Sequence, residues 1–155
     1  MIQRIQSLYL LFILVFMVTM FFVPLVSFED ASGALYNYFA HGLYRVTVDG
    51  QIIVHNNYVV MTLVSLIIVV TLVTVFSYKN RTRQLVFCKY LVAAIAALAV
   101  FVSFEMIVAY SGNQYSSVTF QKSIILPFIS FLPVFMAIRG IKKDEELVKS
   151  ADRLR

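Results

Sequence analysis

YVVMTLVSLIIVVTLVTVFSY, residues 58–78, runs for 21 positions without a charged side chain. At 1.5 Å per residue, a helix of that length reaches about 32 Å, enough to cross a hydrocarbon core of roughly 30 Å. Working outward, three more runs are apolar and long enough to span: Ser7 to Phe28, Leu85 to Tyr110 and Phe120 to Ile138, the last two carrying Lys89, Glu105 and Lys122. The first is too long for the apolar core of a cleavable signal peptide, roughly 7 to 15 residues, so it reads as a retained helix. The spacing predicts an all-α membrane protein: one four-helix transmembrane domain over 1–155, with helices at about 7–28, 58–78, 85–110 and 120–138 and a tail at 139–155.

Composition agrees. The chain has 155 residues, of which 61% are hydrophobic and 14% charged. Its mean hydropathy is +0.85. A globule of this size buries only roughly 70% of its unfolded surface, too little to hide so many apolar side chains from water. The net charge of +5 does not point to nucleic acid, because the basic residues flank apolar runs and form no stripe on a folded face. A single cysteine, Cys88, excludes an internal disulfide and a CxxC redox centre.

Those basic residues set the expected orientation. Threading the four runs back and forth puts Arg4, Lys79, Arg81, Arg83, Lys89, Arg139, Lys142, Lys143, Lys149, Arg153 and Arg155 on one side, and only Arg45 and Lys122 on the other. Eleven against two places both termini in the cytoplasm and the segment from Glu29 to Asn57 outside. Tyr58 and Tyr110 then sit at the outer interface and Tyr78 at the inner one, as interfacial anchors.

Within the outer segment, Leu43 to Val48 and Gln51 to Asn56 flank Asp49-Gly50, which predicts a small hairpin about a type I′ turn. In that register Tyr44, Val46, Val48, Gln51, Ile53 and His55 share a face. A hairpin this small needs support from helix ends, the membrane or a partner. His41 and His55 are the only histidines, and their spacing matches no metal-ligand pattern. No metal site and no cofactor site is assigned. The tail after Gly140 places Ile141, Leu147, Val148, Ala151 and Leu154 near one side of an amphipathic helix suited to the inner leaflet or to a docking partner.

Glu105 is the one acid inside a span. An unpaired carboxylate there is costly, so it needs a partner. Lys122 begins the fourth run at similar depth across a short uncharged turn, Ser111 to Thr119, which makes Glu105 and Lys122 the candidate intramembrane pair. Pro127 and Pro133 predict kinks in the fourth helix, with the carbonyls of Ser123 and Ile129 freed, and Pro24 distorts the outer end of the first. Alanines at 93, 94, 96, 97 and 99 permit close helix approach on the third helix.

MIQRIQS at 1–7, KNRTRQ at 79–84 and KDEELVKSADRLR at 143–155 together resemble a family of short, uncharacterised four-helix membrane proteins of the Bacteroidota. The resemblance covers the whole chain and implies a bacterial inner membrane. It carries over no catalytic or binding residue.

No Ser/His arrangement, paired carboxylate, thiol pair or glycine-rich phosphate loop supports catalysis, and no catalytic residue is assigned. The sequence therefore reads as a non-enzymatic accessory or scaffold subunit of an inner-membrane complex. Its expected partners are the lipid bilayer and another membrane protein, met through Arg81 and Arg83 of the inner turn and through the tail stripe. The alternative is a small carrier, working as a homo-oligomer, with Glu105 on its path.

Overall fold

Pro24 ends the first apolar run as a helix, because its ring disfavours helical backbone at the residue before it. In the computed structural model, which describes residues 3–78, 80–111 and 115–153, α1 covers Gln3–Phe22, and the apolar residues beyond Pro24 enter strand β1 (Val26–Asp30). Three more strands follow: β2 (Leu35–Phe39), β3 (Gly42–Thr47) and β4 (Gly50–Asn56). Then come α2 (Tyr58–Phe76), α3 (Arg81–Ser111), β5 (Tyr115–Phe120), a 3₁₀ turn (Lys122–Ile125), α4 (Leu126–Ile129) and α5 (Phe131–Arg153).

The expectation of an all-α four-helix bundle is overturned. The five strands form one antiparallel sheet in the order β4-β3-β2-β1-β5. Two readings went astray for identifiable reasons. LYNYF at 35–39 is too short to show a period, and it is a strand because β1 and β3 pair on either side of it. The Ser-rich stretch before Phe120 reads as a turn, yet Tyr115–Phe120 pairs with β1 from far along the chain.

Among the described residues, four helices are long and apolar enough to cross a membrane. Their buried positions fall at alternating spacings of three and four: Gln6, Leu10, Ile13, Met17 and Met20 on α1, Val60, Val64, Ile67, Thr71 and Thr74 on α2, Gln84, Cys88, Leu91, Ile95, Leu98 and Val102 on α3, and Val134, Ala137, Ile141 and Asp144 on α5. That seam keeps one stripe of each helix against its neighbours and leaves the others outward. α1 packs on α2 and α5, and α3 packs on α2 and α5, closing a ring. The threonines inside it return their hydroxyls to their own helix, Thr71 to the Ile67 carbonyl and Thr74 to that of Val70, both at 2.6 Å, so neither hydroxyl is stranded.

The sheet joins one end of this ring, where α1 ends and α2 begins. Alternation sorts its faces. Val26 pairs with Tyr38 and Phe120, and Phe28 with Tyr36 and Val118. Val26, Phe28 and Tyr38 are buried in the core shared with the helices. The opposite face carries Ser27, Asn37 and Thr119, where Ser27 donates to Asn37 Oδ1 at 2.8 Å and accepts from Gln121 Nε2 at 3.1 Å.

The predicted hairpin strands exist as β3 and β4, but the turn comes one residue early. Thr47 pairs with Gly50, so Val48 and Asp49 form the loop. Gly50 follows it with φ of +136°, a backbone region that side-chain-bearing residues avoid. Tyr44, Val46, Gln51 and Ile53 still share a face, since the slip preserves pleat parity. A bulge at Leu43/Tyr44 sets His55 opposite Leu43 instead.

The fourth run is broken rather than kinked. The Ser123 carbonyl, expected to be freed by Pro127, accepts from the Leu126 N–H in the 3₁₀ turn. Pro127 stands in the first turn of α4 and Pro133 in the first turn of α5, where the missing N–H has no intrahelical partner to lose. α5 then continues through Gly140 to Arg153, so the expected separate tail helix is its continuation.

Candidate functional site

Asn57 stands between β4 and α2 and caps the helix, its Oδ1 accepting from the Val60 N–H at 3.2 Å. Its backbone is also used: its N–H donates to the His41 carbonyl, and its own carbonyl accepts from Met61, both at 3.1 Å. One group remains, the side-chain NH₂. It donates to Tyr38 Oη and to Glu105 Oε2, each at 2.6 Å. The Tyr38 hydroxyl donates to the same Glu105 oxygen. One residue from β2, one from the start of α2 and one from α3 thus share a three-way hydrogen-bonded junction.

Tyr38 is 7% exposed and Asn57 8%, so neither can fall back on bulk water. Burial raises the Tyr38 pKa well above the ordinary tyrosine range, and the hydrogen bond and charge of Glu105 add to the rise. Tyr38 therefore remains a donor throughout the neutral range. A carboxylate is suited to this position because it accepts several bonds at once. Glu105 Oε2 accepts from both partners, and Tyr38 Oη accepts from Asn57 while donating to Glu105. Chemically the arrangement fastens the sheet to the bundle.

A second buried polar layer lies at the far end of the ring. Gln6 Nε2 donates to Asp144 Oδ2 at 2.6 Å, joining α1 to α5. Arg81 makes a long 3.4 Å bond to the Asp144 carbonyl, and Gln84 reaches the Thr74 carbonyl at 3.4 Å. Gly140 allows this approach, since a Cβ there would lie 3.0 Å from Gln6 Cγ.

Of the residues singled out from the sequence, Glu105 is in the junction, while Lys122 is exposed in the 3₁₀ turn. Among the described residues no ion pair joins the two, and the partners of Glu105 are Tyr38 and Asn57. Arg83 is exposed, with its backbone N–H accepted by Asn80 Oδ1 at 3.2 Å. Ile141 is wholly buried while Leu147 is exposed, so the tail stripe does not form one surface. The side chains of Val148 and Ala151 and the whole of Leu154 lie outside the described residues. His41 packs among Phe21, Phe39 and Tyr44.

Tyr38, Asn57, Gln6 and Asp144 escaped sequence reasoning. Asn57 carried a usable signal, an Asn placed directly before an apolar run. The others carried none, because each gains its partner from a distant part of the chain. Among curated proteins, none matches this chain. A family model described as "Domain of unknown function (DUF4293)" matches residues 2–154, nearly the full length, and the chain belongs to that family.

Proposed function

We propose that this protein is a non-enzymatic accessory or scaffold subunit of a bacterial inner-membrane complex, with both termini cytoplasmic and the sheet outside. The observation that carries this reading is the outer edge of the sheet. β4 ends the strand order on one side, and all seven of its residues are exposed. It contains no charged residue and no proline. Ile52, Ile53 and Val54 are 60%, 54% and 52% exposed. Sheet edges are normally blunted by lysine, proline or a covering element. An unguarded apolar edge suits strand addition, in which main-chain hydrogen bonds hold an extended segment of a partner's outer domain.

This moves the contact surface away from the tail, in whose first turns Ile141 is buried in the core and Asp144 is bonded to Gln6 of α1. The commitment of Glu105 to Tyr38 and Asn57 supports a structural role for that carboxylate over a place on a carrier's path.

Purification in mild detergent tests the proposal. The unaltered chain is expected to bring down a foreign membrane protein in stoichiometric amount, and the Ile53→Lys, Val54→Lys double variant is expected to lose it. Both positions are exposed, so the stability of the chain itself should change by no more than about 0.5 kcal/mol. Retention of the partner by that variant sinks the reading. A homo-oligomer stabilised by a solute favours the carrier instead.

A further inference from the structure

The outward side of α5 changes character along one stripe. Leu132 and Met136 are exposed and apolar, and Arg139 and Lys143 are exposed and cationic. At about 100° per residue, all four fall within roughly 60° of one another around the helix. Arg139 lies about 4.5 Å beyond Met136 along the axis and Lys143 about 10.5 Å beyond it. Lys142 flanks them and is exposed as well. Glu146, the acid on this side, sits farthest along, one turn past Lys143. Asp144 faces inward to Gln6.

Beside the apolar part of the stripe is a groove of about 280 Å³. Tyr9, Phe12 and Phe16 of α1 form one wall, and Leu132, Pro133 and Met136 of α5 the other. The two helices meet below it at Gln6 and Gly140. Its lining is wholly apolar, and it opens on the side that faces lipid when the helices span a bilayer.

We propose that this groove seats one acyl chain of an anionic glycerophospholipid, with the headgroup phosphate held by Arg139 and Lys143. Size selects a chain over a helix. An extended acyl chain can lie along the roughly 10 Å of α1 axis between Tyr9 and Phe16, whereas a helix about 10–12 Å across would stand mostly outside a groove of about 280 Å³. Charge selects the headgroup, because cations placed where the apolar stripe ends meet phosphate at the interface and favour lipids of net negative charge. The inference needs the chain to span a bilayer, and it is independent of any partner at β4.

The chain contains no tryptophan, so a single introduced one reports on its own surroundings. Leu132→Trp, placed in the groove wall, is reconstituted into vesicles containing brominated-chain phosphatidylglycerol or brominated-chain phosphatidylcholine at equal mole fraction. Quenching is expected to show at least a threefold preference for phosphatidylglycerol. The preference should vanish when Arg139 and Lys143 are both changed to Gln, and it should be absent for Val100→Trp on the exposed side of α3. Native mass spectrometry of the unaltered chain, released from mixed vesicles, should retain phosphatidylglycerol in excess. Equal quenching by the two lipids at Leu132→Trp overturns the proposal, as does a preference that survives loss of both cations. Absence of quenching by either, as when a protein segment fills the groove, overturns it too.

Discussion

Glu105 offers one oxygen to two buried donors, and its removal is the sharpest test of the junction. Glu105→Ala leaves the Tyr38 hydroxyl and the Asn57 amide without their shared acceptor, which should cost about 1–3 kcal/mol. Thermal unfolding in detergent measures it. Glu105→Gln keeps an acceptor oxygen and should cost less. Tyr38→Phe combined with Glu105→Ala should be less harmful than the separate effects summed, because the two groups form one network. Tyr38 also gives a pH dependence. Its folded pKa is raised by burial first and by Glu105 second, so the folded state holds the proton more tightly than the unfolded one. The stability contribution is complete below about pH 10 and declines as pH rises above it. Tyr38→Phe should flatten that decline in an alkaline unfolding series. Glu105 itself was legible as a residue needing a partner, since a lone carboxylate in an apolar run signals one. The identity of the partner was not, because Tyr38 lies 67 positions away in a segment without clear periodicity.

At the scale of elements, the closest constraint is where β3 meets β4. A Cβ on Gly42 would lie 2.5 Å from the His55 carbonyl oxygen, a backbone atom that cannot swing aside. Gly42→Ala should therefore pry the two strands apart at the bulge and lower stability by about 1–3 kcal/mol, read as a drop in the thermal midpoint. The helices were legible to within a turn or so at most ends, because long apolar runs have one stable answer in lipid. α2 is the clearest case, expected at 58–78 and found at Tyr58–Phe76. Strands β1 and β5 were not legible. β1 was hidden as the tail of an apolar run, and Pro24 was the only local hint. β5 has value as a strand only because β1 supplies its hydrogen-bond partners, a relation that no window of sequence contains.

For the whole molecule, most of the described basic residues lie at the end of the helices away from the sheet, Arg45 of β3 and Lys122 of the 3₁₀ turn being the exceptions, so orientation becomes testable on the folded protein. In a Cys88→Ala background, Ser32→Cys in the exposed β1–β2 turn should react with a membrane-impermeant maleimide added to intact cells. Glu146→Cys, exposed on α5, should react only after the cells are opened. The reverse pattern would place the sheet inside and remove the basis for an outer partner at β4.

Residue chemistry alone determined that this chain has four segments able to cross a bilayer and which ends of them share positive charge. Both are sums over local composition, and they hold however the segments pack. The five-stranded sheet, the junction of Tyr38, Asn57 and Glu105, and the groove beside Pro133 were decided only by tertiary structure. Each depends on atoms brought together across long stretches of chain, and a hydrogen bond or a groove exists only once both of its sides are in place.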